Sequence, residues 1–342
     1  MGKLPTNANV RQRRSAVDDQ ASVARSGPTG AITTLDALHA EAARLDLSPG
    51  WIAREQPIFW SEPRSQFVPA HWRYVDVRAA LDVAGRLIDM AMAERRILAL
   101  RNPFPANNFA TTRTLSCAYQ MMLPGERAST HRHASHALRV ILDAKRSYSI
   151  VDGVRMPMET GDIVLTPGGS WHGHGHDGDA PACWLDGLDI PLTHLLEPMY
   201  FEPYPDRFEA AHTVVETSPY RFSSSDIARA LDASSPEPEG LAGSRIALAA
   251  PEMKPLGLSV ERLAAGGTTR AQRATASRCF VVMQGSGTSK VGDKSFAWSR
   301  GDTIAVPGWV WFEHAARNDA QLFCLSDEPL MRFAGYFRRE TA

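Results

Sequence analysis

The feature of this sequence that most restricts its fold is an internal repeat at a spacing of 140 residues. Three short motifs recur at that spacing: Gly161-Asp162 with Gly301-Asp302, Pro167-Gly168 with Pro307-Gly308, and His174 with His314. In both halves a short apolar stretch separates the Gly-Asp pair from the proline, and we expect the register to hold without a gap from about residue 139 to residue 174. Self-similarity over this length predicts two copies of one folded unit.

Each copy consists of short strand-like segments. They are Ile97–Leu100, Leu115–Met122, Leu138–Leu142, Tyr148–Val151, Asp162–Thr166 and Cys183–Leu188 in the first half, and Leu256–Leu263, Phe280–Met283, Thr288–Val291, Thr303–Val306 and Leu322–Ser326 in the second. Asp152-Gly153 is a hairpin turn signal. Repeated short strands of this kind predict an all-β-dominated fold with a β-sandwich or jelly-roll barrel in each half.

The N-terminal region has different patterns. Residues 1–30 lack periodicity and predict a mobile arm. Residues 31–96 predict a helical and extended segment, with three parts: a helix from Leu35 to Leu45 capped by Thr33 or Thr34, an extended apolar wrap from Trp51 to Arg73, and helical spacing from Arg78 to Glu94. The strand-rich units then occupy residues 97–233 and 245–342, joined by a proline-rich linker at 234–244.

Composition excludes several classes of protein. The 342 residues contain 37 Lys+Arg and 38 Asp+Glu, so the chain has no global charge for binding nucleic acid. We find no apolar run of the ~18 residues that a membrane span needs, and no apolar stretch follows the polar N-terminus as in a secretory signal. The four cysteines lie far apart, as expected for reduced thiols in the cytoplasm.

Histidines carry the strongest chemical signal. Six of the 11 histidines fall in one window: His131, His133, His136, His172, His174 and His176. His131 and His133 have the period-2 spacing that puts two side chains on one face of a strand. His172 follows a Pro-x-Gly turn and can complete a three-nitrogen face. These two blocks resemble the metal motifs of cupins, which implies a bicupin fold.

The glutamate of the usual cupin motif is absent, since Ala134 to Arg139 contains no acid. Three neutral imidazoles suit Zn, Cu, Fe or Ni, and open coordination positions suit Fe(II) oxygen chemistry. At the 140-residue offset the ligand positions fall on Ala271, Arg273 and Phe312, which cannot hold a catalytic metal. We therefore expect one metal per chain, in the first cupin, and a structural role for His314.

The wider pattern resembles the gentisate 1,2-dioxygenase family, which includes salicylate and 1-hydroxy-2-naphthoate dioxygenases. The matching segments are Leu123-Pro124-Gly125-Glu126, His131-Arg132-His133, Ala137-Leu138-Arg139, Trp171-His172-x-His174 and Trp184-Leu185-Asp186-Gly187-Leu188-Asp189, with an upstream match at Val68 to Tyr74. The resemblance covers about residues 35–340. It implies three-histidine Fe(II) in the first cupin, and ring cleavage between the carboxyl-bearing and hydroxyl-bearing carbons of the substrate during aromatic catabolism.

Arginines are the expected partners of the substrate carboxylate. Arg139 lies eight residues after His131 and shares its strand face if no bulge intervenes. A guanidinium in an apolar barrel needs an anion, either the substrate or an acid such as Asp143. The resemblance favours the substrate, and it implies a second substrate arginine at Arg95 or Arg96.

Further site residues follow from the same resemblance. Gln120 matches a pocket position, although a buried strand-pairing role is nearly as good an interpretation. Asp186 can orient His174 or a ligand histidine, and His174 is a candidate proton shuttle. Ser116 replaces a common aromatic residue, and the loop Asn107-Asn108-Phe109-Ala110 replaces one that usually contains glycine. We therefore expect an altered pocket.

The first hypothesis is an Fe(II) dioxygenase that acts with O2 on gentisate, salicylate or a 5-substituted salicylate. A non-enzymatic bicupin with a structural metal, for ligand sensing or storage, is the alternative. A cupin isomerase, or a dioxygenase for a non-aromatic substrate, is a third. The resemblance also implies a homo-oligomer, commonly a tetramer, with no nucleic-acid or membrane partner.

Overall fold

The structure is a computed structural model that describes residues 32–52, 58–90, 92–93 and 95–342. The arm predicted at residues 1–30 lies outside the described residues. The chain divides into two compact units, residues 1–61 and residues 62–342, and we describe each by itself.

The described part of the first unit contains helix α1, Leu35–Arg44. The Thr34 hydroxyl accepts a hydrogen bond from the backbone N–H of Ala37 at 3.2 Å, so the predicted helix and one of its two predicted caps are confirmed. The Trp51 indole donates to the His39 ring at 3.2 Å and holds the following turn against the helix.

The second unit contains the two predicted barrels. Its first half has β1 (Ala70–Trp72), α2 (Tyr74–Leu87), β2 (Arg96–Ala99), β3 (Ser116–Met122), β4 (Arg127–His133), β5 (Ala137–Asp143), β6 (Ser147–Val151), β7 (Val154–Met158), β8 (Ile163–Thr166), β9 (His172–His176), β10 (Ala182–Leu188) and α3 (Ile190–Leu196). Next come β11 (Phe201–Pro203), β12 (Thr213–Val214), β13 (Arg221–Phe222) and α4 (Ser224–Ala233).

The second half has β14 (Ser244–Ala247), β15 (Gly257–Leu263), β16 (Gln272–Ala274), β17 (Arg278–Gln284), β18 (Ser286–Val291), β19 (Lys294–Ser299), β20 (Thr303–Val306), β21 (Phe312–Ala316), β22 (Ala320–Ser326), α5 (Glu328–Phe333) and β23 (Arg339–Thr341). The predicted strands are confirmed to within a few residues. Two expectations near the N-terminus need correction: the extended wrap contains strand β1, and helix α2 begins at Tyr74 instead of Arg78 and ends at Leu87.

Two facing six-stranded sheets make the first barrel. One has the order β13-β8-β5-β10-β3-β2 and the other β11-β4-β9-β6-β7-β12. The second barrel pairs β1-β20-β17-β22-β15-β14 with β19-β18-β21-β16-β23. One hydrophobic core runs between the barrels, since buried side chains of β5 and β10 share a cluster with those of β17 and β22.

The repeat is confirmed, but its register is not free of gaps. Strands β5 and β17 begin 141 residues apart, whereas β9 and β21 begin 140 apart. The connection after β17 is shorter than the one after β5, which accounts for the difference. Gly161 and Gly301 both have a φ of 90°, so the Gly-Asp turn keeps the same left-handed backbone in both copies.

The two copies exchange their edge strands. Strand β1 precedes the first barrel in sequence but pairs with β20 of the second, and β13 precedes the second barrel but pairs with β8 of the first. Each strand leads into a helix whose first N–H donates to the repeated aspartate: Tyr74 to Asp302 at 2.8 Å, and Ser224 to Asp162 at 2.9 Å.

No helix in the described ranges is long and apolar enough to cross a membrane.

Candidate active site

Three histidines converge inside the first barrel. His131 and His133 lie at the end of β4, and β9 begins with His172, which is directly opposite His131 in the strand register. One ring nitrogen from each histidine lies within 4.8 Å of the other two. The predicted spacing therefore does bring these three side chains together.

Backbone carbonyls fix the orientation of all three rings. The Nδ1 atoms of His131, His133 and His172 lie 3.1, 2.8 and 3.0 Å from carbonyl oxygens of serines two residues away in the chain. At His133 and His172, an Nδ1–H that donates to the carbonyl leaves Nε2 as the lone-pair nitrogen available to a ligand. At His131, Nδ1 also lies 2.8 Å from Nη2 of Arg95, a donor that competes with the carbonyl for this atom. Burial lowers the pKa of His131 to about 3 and that of His133 to about 4, and it lowers the pKa of His172 well below its usual range. The rings are therefore neutral at physiological pH, the form that binds a metal.

This donor set fits a divalent transition metal. Imidazole nitrogen is a good ligand for iron, copper, nickel and zinc, and three ligands leave coordination positions open for other groups. Within the described ranges, this is the only cluster of three His, Cys, Asp or Glu side chains close enough to share an ion.

A cavity of about 340 Å³ adjoins the three histidines. Its opposite wall is the inner face of β5, β10, β3 and β2, where the strand register sets residues side by side in rows. One row contains Arg139, Asp186, Ala118 and Ala99; a second contains Ile141, Trp184, Gln120 and Ile97; a third contains Ala137, Leu188 and Ser116. A pocket of this size suits a single small ligand.

Arg139 reaches the cavity from a different strand than predicted. It lies on β5, whereas His131 lies on β4 in the opposite sheet, so the two residues face each other across the barrel and share no strand face. Arg139 Nη1 donates to the Thr166 hydroxyl at 2.7 Å, and Nε lies 3.3 Å from a carboxylate oxygen of Asp186. Burial lowers the pKa of Arg139 to about 10, so the side chain remains a cation at neutral pH.

The expectations for Asp186 and Asp143 are corrected by these contacts. Asp186 lies beside Arg139 and accepts a hydrogen bond from the Trp184 indole at 3.2 Å; within the described part of the chain it has no hydrogen bond to a histidine. Burial raises the pKa of Asp186 to about 6, although Arg139 acts in the opposite direction. Asp143 lies outside the cavity and binds Tyr74 instead of Arg139.

The structure also distinguishes the two neighbouring arginines. Arg96 is buried beneath the sheet, where it forms an ion pair with Glu126 at 2.6 Å and donates to the carbonyl of Ile88. Arg95 lines the cavity, and its Nη2 lies 2.8 Å from Nδ1 of His131. Only Arg95 is therefore placed to meet a bound ligand.

His174 and Gln120 both present polar atoms to the cavity. The His174 ring lies 6.0 Å from that of His172, measured between centroids, and both side chains are buried. His174 Nδ1 and Gln120 Nε2 are buried without a hydrogen-bond partner among the described residues. Polar atoms in this state are rare in folded proteins and fit a site that binds a polar ligand.

The sequence gives less indication of the other residues that line the cavity. Ser116 lines the cavity as expected, and so does Phe109 from the loop that differs from the usual pattern. Ile190 and His194, one turn apart on α3, and Phe201 on β11 were not predicted. The segment after β10 carries no sequence motif, so only the fold reveals them.

The remaining histidines of the window are structural. His136 Nδ1 accepts a hydrogen bond from the backbone N–H of Gly168 at 3.0 Å. His176 is held between the Ser147 hydroxyl and the Ala180 carbonyl.

The second barrel has no comparable histidine set. Gln272 pairs with Phe312 as His131 pairs with His172, so the positions expected at Ala271 and Arg273 are each wrong by one residue. Alternate residues of a strand face opposite ways, and Arg273 accordingly points outward, 4.5 Å from the centre of the Trp309 ring. Phe312 packs within an apolar barrel core, and His314 is held by the Ser289 hydroxyl at 2.7 Å.

Two cupin barrels in one chain, with a three-histidine cluster in only one of them, define the protein as a bicupin. The family model of the cupin domain matches residues 118–188. A 5-aminosalicylate 1,2-dioxygenase of Comamonas sp. is 35% identical over 92% of both chains, and gentisate 1,2 dioxygenase 1 of Aquipseudomonas alcaligenes is 32% identical over 86% of this chain and 92% of that one. The structure of a salicylate 1,2-dioxygenase from Pseudoaminobacter salicylatoxidans, an adduct with gentisate, aligns with a TM-score of 0.81 and 26% identity over 94% of this chain and 98% of that one.

The chain belongs to the gentisate and salicylate 1,2-dioxygenases, a family of ring-cleaving enzymes. The predicted bicupin fold and the prediction of an enzyme are both confirmed, and the non-enzymatic alternative is not supported.

Proposed function

We propose that this protein is an Fe(II)-dependent dioxygenase that inserts O2 between the carboxyl-bearing and hydroxyl-bearing carbons of a 2-hydroxybenzoate. The observation that carries the proposal is one cavity with three neutral imidazoles on one wall and the buried cation Arg139 on the other. A substrate that has both a metal-chelating oxygen pair and a carboxylate charge can bind the metal at the imidazole wall and pair with Arg139 at the other wall.

His131, His133 and His172 are the residues that hold the metal, one ion per chain. Fe(II), when bound, supplies a site at which O2 and a chelating substrate can meet and exchange electrons. The contribution of the protein is to keep the three rings neutral and oriented, through burial and the serine carbonyls.

Arg139 binds the substrate carboxylate, because a charged hydrogen-bond donor in a buried cavity pairs best with an anion. Arg95 adds a second positive charge at the edge of the same cavity. Gln120 donates from its unpartnered amide, and His174 hydrogen-bonds the substrate hydroxyl, which favours chelation by the deprotonated oxygen.

The substrate is gentisate, salicylate or a 5-substituted salicylate such as 5-nitrosalicylate. The relatives named above act on 5-aminosalicylate, gentisate and salicylate, which share the 2-hydroxybenzoate core. The small Ser116 side chain at one end of the cavity leaves room for a ring substituent.

The test is anaerobic reconstitution with Fe(II), followed by oxygen uptake with gentisate, salicylate, 5-nitrosalicylate and 1-hydroxy-2-naphthoate. We expect uptake with at least one of the first three, and loss of both iron and uptake in a His131→Ala/His133→Ala variant. His212→Ala changes an exposed histidine outside the cavity and serves as the matched control. Failure of all four substrates, or full iron retention in the double variant, would overturn the proposal.

We also propose that residues 97–233 form a metal-binding cupin and residues 245–342 a metal-free cupin. The protein assembles as a homotetramer, and it is located in the cytoplasm. The first unit exposes 65% of Trp51, 61% of Ile58 and 89% of Phe59, which is typical of a surface that another chain covers. The four buried, unpaired cysteines fit a reducing compartment. Light scattering that gives a monomer at micromolar concentration would contradict the assembly; a Trp51→Ser/Phe59→Ser variant should shift the mass downward.

A further inference from the structure

Arg139 is held from both sides by its neighbouring strands. Strand β5 lies between β8 and β10, and each neighbour contacts the guanidinium: the Thr166 hydroxyl of β8 accepts a hydrogen bond from Nη1 at 2.7 Å, and the Asp186 carboxylate of β10 forms an ion pair with Nε at 3.3 Å without a hydrogen bond. Thr166 is fully buried, and Arg139 and Asp186 are nearly so.

The position of Thr166 explains how it reaches the guanidinium. In the strand register Thr166 lies opposite Ala137, two residues before Arg139 on the same face of β5. The alanine is small, so the arginine side chain can extend over it toward the hydroxyl. Nη1 is then engaged, while Nη2 has no hydrogen bond to any residue in the described ranges and remains for a ligand in the cavity.

The second barrel supplies an internal comparison. By strand pairing, Phe280 occupies the position of Arg139, Val306 that of Thr166 and Cys324 that of Asp186. All three polar residues are thus replaced by apolar ones in the barrel that lacks the histidine cluster, where they form part of a filled core. The hydroxyl is not needed to build this strand in a cupin barrel, since valine builds it in the second copy.

We propose that Thr166 is a positioning residue for the substrate carboxylate: its hydroxyl holds Nη1 of Arg139, so that the opposite edge of the guanidinium faces the cavity. This inference rests on the proposed function, because it assumes that a carboxylate binds there. Asp186 restrains the Nε side, and Thr166 sets the direction of the free N–H groups.

Thr166→Val tests the hydroxyl alone, since it keeps the shape and the branching of the side chain. The matched control is Thr112→Val, the same change at another fully buried threonine, whose hydroxyl has no hydrogen-bond partner among the described residues. Thr166→Ser retains the hydroxyl. Each Fe(II)-loaded variant is titrated anaerobically with salicylate, and with catechol, which chelates through two oxygens but has no carboxylate.

For Thr166→Val we expect salicylate to bind about tenfold more weakly, as for a lost hydrogen bond to a charged group. Its KM should rise correspondingly while kcat changes little. Catechol affinity and iron content should stay at the wild-type level. Thr166→Ser and Thr112→Val should bind salicylate like the wild type, and Thr166→Val should add no further loss to an Arg139→Leu variant.

Equal weakening of salicylate and catechol by Thr166→Val would overturn the inference, because the hydroxyl would then act on the whole pocket. Wild-type salicylate affinity in Thr166→Val would overturn it as well. If Thr166→Val does not fold, weak salicylate binding by a folded Thr166→Ser variant also counts against the inference. None of these results affects the proposed function, which fails separately if the wild-type enzyme neither binds nor cleaves any 2-hydroxybenzoate.

Discussion

Replacement of Arg139 by leucine is the most informative single perturbation of this site. The side chain is only 5% exposed and faces a cavity of about 340 Å³, so a carboxylate bound there has little water to replace a lost cation. Loss of a hydrogen bond to a charged group costs about 1.5–3 kcal/mol. That corresponds to a decrease of roughly 10- to 150-fold in kcat/KM for salicylate.

The same substitution leaves Asp186 in the barrel without its cation. Breaking a buried ion pair by removing one partner costs about 3–5 kcal/mol of stability. Burial already raises the pKa of Asp186 to about 6, and without Arg139 that pKa rises further. Adding Asp186→Asn to Arg139→Leu removes the ionisable group, and the double variant should be about 1–3 kcal/mol more stable than the single one.

Two measurements check this reasoning. Oxygen uptake gives kcat/KM for salicylate, with iron content measured in parallel, and urea denaturation at pH 7 gives the free energy of unfolding. Arg139→Lys should retain part of the activity, because it keeps the charge but loses the planar fork of donors. Unchanged kcat and KM in Arg139→Leu would remove this residue from the site. A double variant less stable than Arg139→Leu would refute the account of the ion pair.

Three further predictions concern other parts of the molecule. In Gly168→Ala, the new Cβ would lie 2.3 Å from the carbonyl oxygen of Ala134. The loop that leads from β8 into the ligand strand β9 must therefore shift, and iron affinity measured by chelator competition should fall about tenfold or more. Gly50→Ala, where nothing lies within 4 Å of the added Cβ, is the control. His174→Ala should keep its iron but lose turnover of salicylate, whereas loss of iron would show that this histidine is a ligand. Burial raises the pKa of Asp327 to about 6, so ionisation of this carboxyl destabilises the fold as the pH rises from about 4 to about 6. The unfolding free energy of Asp327→Asn relative to wild type should increase by about 2–3 kcal/mol over that range, and a constant difference would contradict the prediction.

The sequence predicts the fold and the three histidines well, because both rest on local spacing. The period-2 pattern of His131 and His133 and the repeated Gly-Asp turns depend only on neighbouring residues. Contacts between strands that are distant in the chain are harder to predict from the sequence. The connection after β17 is shorter than the one after β5, and this difference moves the position equivalent to His131 from Ala271 to Gln272. No local sequence pattern indicates the change in length.

The hydrogen-bond and ion-pair partners of the site residues are the part of the site that the sequence predicts least. Asp186 was expected beside a histidine but lies beside Arg139, because β5 and β10 are neighbours in the sheet. The choice between Arg95 and Arg96 depends on which face of β2 points into the barrel, and an arginine doublet carries no signal for that. The role of Thr166 was not predicted, because its contact with Arg139 depends on the pairing of β8 with β5.

The exchange of edge strands explains why a barrel without a metal site remains in the chain. A chain that ended before β14 would keep β13 on β8, but β1 would lose the strand it pairs with and Tyr74 would lose Asp302. Fusion of two subunits of a domain-swapped dimer would produce this arrangement directly, because the N-terminal strand and helix of each subunit would already be paired with the other subunit. In such a history the second barrel is free to lose its chemistry but not its structure, since it holds β1 and shares one hydrophobic core with the first barrel.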